Sequence, residues 1–243
     1  MKLKTGWIPD ILDSRDYKYK RKCLCFKPQK IDLSKYCSPV EDQRTLGSCT
    51  AQALVGNMEY LDYRDDKKHT DLSRLFVYYN ERMIEGTINQ DSGAYIRDGI
   101  KSLHKYGVCP EVMHPYNISK FKIKPTQKCY EEAVNRKISS YMRVNGVTGI
   151  ISSICEYYPV VFGISLYESF QSIYTARTGI VNMPKRTESL IGGHAIMATG
   201  FDRKERRFIC RNSFGIQWGK NGYFTIPFDY VSKLGRDFWT IRK

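Results

Sequence analysis

Three short stretches carry side chains whose types and spacing suit chemistry. The first is Val40-Glu41-Asp42-Gln43-Arg44-Thr45-Leu46-Gly47-Ser48-Cys49-Thr50-Ala51. Cys49 follows a Gly-Ser pair and stands where a helical pattern begins. A helix N-terminus offers unpaired N–H groups and positive potential, which favour thiolate over thiol, and the thiolate is the nucleophile. The second stretch, Ile191-Gly192-Gly193-His194-Ala195-Ile196, places a histidine at the start of a strand pattern, after two glycines that let another backbone approach. Imidazole moves protons near neutral pH. The third, Asn212-Ser213-Phe214-Gly215-Ile216-Gln217-Trp218-Gly219-Lys220-Asn221-Gly222-Tyr223, supplies an amide oxygen able to orient an imidazole without adding charge, and a bulky ring to keep water off that bond. Taken singly, each piece has an ordinary structural reading: a packed thiol, a core histidine, a turn-forming asparagine.

The elements that must position these groups follow from hydrophobic periodicity. Ala51–Tyr63, Leu72–Ile84 and Tyr95–Tyr106 carry apolar residues at helical spacing; Asp71 or Ser73 is placed to cap the second, and Gly107 and Pro110 stop the third. Beyond about residue 136, Val160–Leu166, His194–Gly200, Arg207–Arg211, Tyr223–Pro227 and Phe238–Arg242 are short runs rich in β-branched and aromatic residues. A helical first half and a strand-rich second half predict an α+β protein of two lobes with a cleft between them. Residues 1–35 read as polar and loop-like.

In combination the three stretches resemble the papain/cathepsin-like cysteine peptidases. The family pattern is Gln, five residues, Cys; later His; later Asn-Ser-Trp-Gly and Trp-Gly-x-x-Gly-Tyr. Gln43 stands six before Cys49, and His194 and Asn212 follow Cys49 by 145 and 163 residues, against about 130–150 in the family. The resemblance covers roughly residues 31–243. It implies a papain-like two-lobe fold: an N-terminal extension at 1–30, a helical lobe at about 36–135, and an antiparallel β-barrel-like lobe at about 136–243. It also implies roles. Cys49 would attack a peptide carbonyl to give a thioester acyl-enzyme, His194 would hold and deliver the proton, and Asn212 would orient His194. Gln43 would donate to the oxyanion beside the Cys49 N–H, Trp218 would shield the Asn212–His194 bond, and Gly93 would pair with the substrate backbone. An endopeptidase is favoured, because nothing resembles a histidine pair on a cleft-blocking loop.

The chain departs from the pattern at Leu46, where the family has a disulfide-forming Cys, at Thr50 in place of Trp, and at Phe214 in place of the Trp of Asn-Ser-Trp-Gly. The short stretch before residue 31 resembles the propeptide-poor members of microbes and large DNA viruses. The expected partner is a protein or peptide substrate. A net charge of +14 allows an anionic partner as well, and a basic polyanion-binding protein on a peptidase scaffold is the alternative from another class. Another thiol acyltransferase is the alternative among enzymes. We expect no cofactor and no metal: of eight cysteines only Cys23 and Cys25 are close in sequence, with no histidine nearby. No apolar run approaches the roughly 20 residues of a membrane span, and residues 1–20 have no apolar core of a signal peptide. The expected location is therefore a reducing compartment, with all eight thiols free.

Overall fold

The computed structural model describes residues 4–20 and 28–243; Cys23 and Cys25 lie outside the described residues. The helical lobe is built on α1 (Cys49–Asp66), α2 (Arg74–Glu85), α3 (Ile96–Lys105) and the short α4 (Gln127–Ala133). Every residue from Cys49 to Asp62 is buried, because α1 packs against α2, α3 and the sheet at once. A single apolar stripe suggested a helix with one wet face. Instead the polar residues Gln52, Asn57, Glu59 and Asp62 are carried inside with the stripe. Ser73, not Asp71, caps α2: its hydroxyl accepts from the Phe76 N–H at 3.1 Å, and Gly86 ends the helix in the left-handed region.

The second lobe is a seven-stranded sheet. Two short strands, β1 (Trp7–Ile8) and β2 (Lys30–Asp32), come first in the chain; β3 is Ala94–Tyr95 and β4 is Ser140–Arg143. The longer strands are β5 (Val160–Tyr167), β6 (Leu190–Asp202), β7 (Arg207–Arg211), β8 (Tyr223–Pro227) and β9 (Gly235–Arg242). The order is β4-β9-β5-β6-β7-β8, antiparallel throughout, with β2 added antiparallel to β6. The path is open, so the lobe is a curved sheet and not a closed barrel. Three helices also belong to this half: α5 (Gly146–Cys155), α6 (Ile173–Thr178) and α7 (Phe228–Leu234). The glycines and β-branched residues of α5 disfavour a helix locally; burial of Ile150, Ile151 and Ile154 overrides that preference. No helix among the described residues is long and apolar enough to cross a membrane.

Residues 4–20 of the loop-like N-terminal stretch are held against the rest of the chain. Trp7 is 6% exposed, and β1 pairs in parallel with β3. Past the strand, Asp10 is anchored to the sheet. Its backbone N–H donates to Asp237, and its carboxylate accepts from the Trp239 indole at 2.8 Å and from Arg143 at 3.0 Å. Arg143 and Arg97 both reach Asp16, at 2.8 and 2.6 Å. This segment carries no period-2 or period-3.6 pattern long enough to announce itself. Its placement rests on long-range contacts.

Candidate active site

Cys49 is the first residue of α1 and is fully buried. Ser48, in the capping position, spends its hydroxyl on Tyr116 (2.6 Å), so no side chain caps the helix. The amide of Gln43 lies in the same loop: Nε2 donates to Leu46 O (2.9 Å), and Oε1 accepts from Ser213 Oγ (2.6 Å). The Gln43 N–H donates to Ser213 O (2.9 Å), and the Gly215 N–H donates to Glu41 O (3.0 Å). The segment just before Cys49 is thereby joined to the loop that follows Asn212. Ser213 escaped the sequence reading. Its signal was only its place between Asn212 and Phe214, and its role depends on the opposite lobe.

His194 lies on β6 opposite Ile164 of β5, and Asn212 directly follows β7. His194 Nε2 is 2.8 Å from Asn212 Oδ1, and that oxygen also accepts from the Ser213 N–H at 2.9 Å. An acceptor already serving a backbone donor requires the proton on Nε2, which leaves the Nδ1 lone pair free. Nδ1 is buried with no hydrogen-bond partner. The ring stacked on the imidazole is Phe214, 4.8 Å away and nearly parallel. Trp218 sits one ring further out, stacked on Phe170 and edge-on to Phe214. The change from Trp to Phe at 214 thus puts a flat ring over His194, and Trp218 packs behind it. The other described histidines lie elsewhere: His104 contacts Ile138 O, His69 stacks on Tyr63, and the His114 carbonyl accepts from the Ser73 hydroxyl.

The cleft between the lobes is filled by residues 4–8. Gly6 passes between Gly47 and Gly93 so closely that a Cβ on Gly6 or Gly93 would overlap the facing backbone. Gly93, at φ +76°, is also in the region that disfavours other residues. The Gly6 carbonyl accepts from the Ala94 N–H at 2.8 Å, and Lys4 O accepts from Gln43 Nε2 at 3.2 Å. The Trp7 indole lies against the bare faces of Gly163 and Gly193. The Cys49 sulfur accepts N–H groups from Ala195 (3.4 Å) and Gly6. Burial pushes the Cys49 thiol up to about 12, outweighing those hydrogen bonds, and pushes the His194 imidazole down to about 4 against the opposing Asn212 contact. The helix N-terminus alone favours thiolate. Under this cover, desolvation outweighs it and both partners are neutral.

No group of three or more His, Cys, Asp or Glu side chains among the described residues is arranged to hold a metal ion. The model of the papain family of cysteine proteases matches residues 27–235. The chain belongs to that family. It is a cysteine protease, a hydrolase of papain-like two-lobe fold, and its substrates are proteins or peptides. It is 44% identical over 214 residues to an uncharacterised peptidase C1-like protein of Acanthamoeba polyphaga mimivirus, covering 83% of this chain and 69% of that one. Xylellain, a cysteine protease from Xylella fastidiosa, superposes with a TM-score of 0.93 at 38% identity, covering 100% of this chain and 98% of that one. The bromelain protease of Ananas comosus, 22% identical, shares the fold with a TM-score of 0.70, covering 88% of this chain and 99% of that one.

Proposed function

We propose that this protease is an endopeptidase with Cys49 as nucleophile, His194 as proton carrier, Asn212 as its orienter and Gln43 as oxyanion donor, and that the segment around Gly6 and Trp7 holds it latent. The observation carrying this reading is that the N–H of Ala195, next in the chain to His194, donates to the Cys49 sulfur, while His194 Nδ1 has no hydrogen-bond partner and the Gln43 amide meets the segment that fills the same cleft. Latency follows from what the sulfur meets. It receives the Gly6 N–H, whereas attack requires a carbonyl carbon. The Lys4 carbonyl rests on the Gln43 amide, where an oxyanion would form. When the segment leaves, water relieves the desolvation and both groups return toward their ordinary values, and an ion pair between Cys49 and His194 becomes accessible once a substrate is seated. Such an enzyme works best in a reducing compartment, where Cys49 stays free.

A thiol-directed epoxysuccinyl inhibitor tests the assignment. It is expected to modify Cys49 alone, slowly in the intact chain and fast once the cleft opens. Modification confined to another cysteine contradicts it. Gln43→Ala is expected to lower kcat roughly 10²–10³-fold with KM little changed, as for loss of one oxyanion donor. A loss confined to KM would instead make Gln43 part of a substrate pocket.

The shifted groups also set a pH window for closure. His194 is depressed to about 4 in the closed cleft, so between its ordinary value near 6.5 and 4 the open form binds more protons. Acid therefore drives opening through that interval. Cys49 is raised to about 12, so alkali drives opening above the ordinary thiol value near 9. Closure is expected to be tightest between about pH 6.5 and 9. Hydrogen exchange at the Ala94 amide, which donates to Gly6 O, measures it after correction for intrinsic rates; protection that is flat from pH 4.5 to 7 contradicts the linkage.

A further inference from the structure

The buried segment also marks a specificity element. Resting on the site proposed above, we infer that Asp91 selects a lysine or arginine as the residue whose carbonyl is attacked. Lys4 O occupies the Gln43 Nε2 position, and the residue supplying that carbonyl sends its ammonium to Asp91 Oδ2 at 3.4 Å. The segment pairs in parallel with β3 and is not itself a substrate in register; what it marks is that a cationic side chain meeting Asp91 ends beside Gly47, two residues before Cys49, next to the position where an oxyanion would form.

Asp91 is built into the cleft wall. Its Oδ1 and Oδ2 accept from the Gly47 N–H at 2.9 and 3.2 Å, two residues before Cys49. Oδ1 also accepts from the Tyr78 hydroxyl at 2.5 Å, and that hydroxyl accepts from the Gly93 N–H at 3.2 Å. The carboxylate thus bridges the nucleophile loop and the opposite wall, with its side chain 21% exposed and an edge toward the cleft. Neutral donors fix it without cancelling its charge. The guanidinium of Arg82 lies over the Tyr78 ring and donates to the carbonyls of Ile88 and Gln90, not to Asp91. Lys4 is the cation paired with Asp91 among the described residues, and it leaves with the segment. What remains is a positioned, negatively charged wall beside the nucleophile. A cationic substrate side chain satisfies it; a carboxylate is repelled.

The test uses the full chain carrying Trp7→Ala, so that the cleft is accessible, and two peptidyl ketone probes identical except for lysine or norleucine at the residue bearing the ketone. The lysyl probe is expected to label Cys49 about three- to fivefold faster, the range for a partly exposed ion pair. The preference is expected to shrink as salt is raised to 0.5 M (about 4 Å screening length). Asp91→Asn, which retains acceptors for Gly47 and Tyr78, is expected to abolish the preference, read as the ratio of lysyl to norleucyl labelling within the same variant; Asp91→Glu retains it. Equal labelling by both probes, or a preference that survives Asp91→Asn, overturns the proposal while leaving the protease site standing. If Asp91→Asn slows both probes, the Asp91 chain decides: a lysyl preference insensitive to salt overturns the inference. Absence of any Cys49 labelling overturns the underlying site assignment instead.

Discussion

Cys49→Ala is expected to remove peptide hydrolysis by roughly four to six orders of magnitude, the loss seen when a nucleophile acting as part of a unit is deleted. The fold should survive. The substitution removes one sulfur atom from a packed position, a change of about 1 kcal/mol, and the residue keeps its place at the head of α1. No other described cysteine has the required surroundings. None of the others opens a helix: Cys37 and Cys109 lie in loops, Cys129 within α4, Cys155 at the end of α5 and Cys210 on β7. Cys129 and Cys37 hydrogen-bond to the carbonyls of Met113 and Leu33. The measurement is turnover of a fluorogenic peptide beside an unchanged melting curve. Residual activity within tenfold of the parent chain, with alkylation mapped to another cysteine, would remove Cys49 from the mechanism.

Trp7→Ala carries the second large expectation. The indole is nearly all buried against Gly163 and Gly193, and its Nε1 has no hydrogen-bond partner. Its contribution is therefore packing and burial, and truncation costs about 3–5 kcal/mol. That cost falls on the closed arrangement alone, because in the open one residue 7 is solvated in either form. The closed-to-open ratio should fall by about 10²–10³ or more, and Cys49 labelling should accelerate by the same factor until opening no longer limits it. The Asp10 and Asp16 contacts to Arg143 and Arg97 remain, so the segment stays tethered while the cleft clears. Labelling at the rate of the unaltered chain would mean that the segment does not guard the sulfur.

The chemistry was legible because few residue types can do it. A thiol at a helix start, an imidazole at a strand start and an asparagine ahead of a Gly-rich turn each have an ordinary structural reading alone, and it is their order and spacing together that mark them as a candidate set. Cys49, His194, Asn212 and Gln43 could all be named before any contact was known. The main helices and strands were legible too, since amphipathic periods in α2 and α3 and β-rich runs in β7 and β8 are local properties. The helix α5 was not: its glycines and branched residues point away from helix, and only packing under β5 and β9 decides it.

Other features depend on distance in space. Ser213 matters because its hydroxyl meets Gln43 across the cleft, and Phe214 because it lies flat on His194. Asp91 sits in a turn that reads as ordinary loop until Gly47, Tyr78 and Lys4 are found around it. The protonation of the Cys49 and His194 pair is likewise a tertiary property. Sequence supplies the helix terminus that favours charge, but desolvation beneath Gly6 and Trp7 is larger and reverses the balance. The sequence by itself determined which groups are present and the local elements that carry them. The tertiary structure decided whether those groups are open to a substrate, because burial and pairing between residues far apart in the chain follow from packing, which no local pattern encodes.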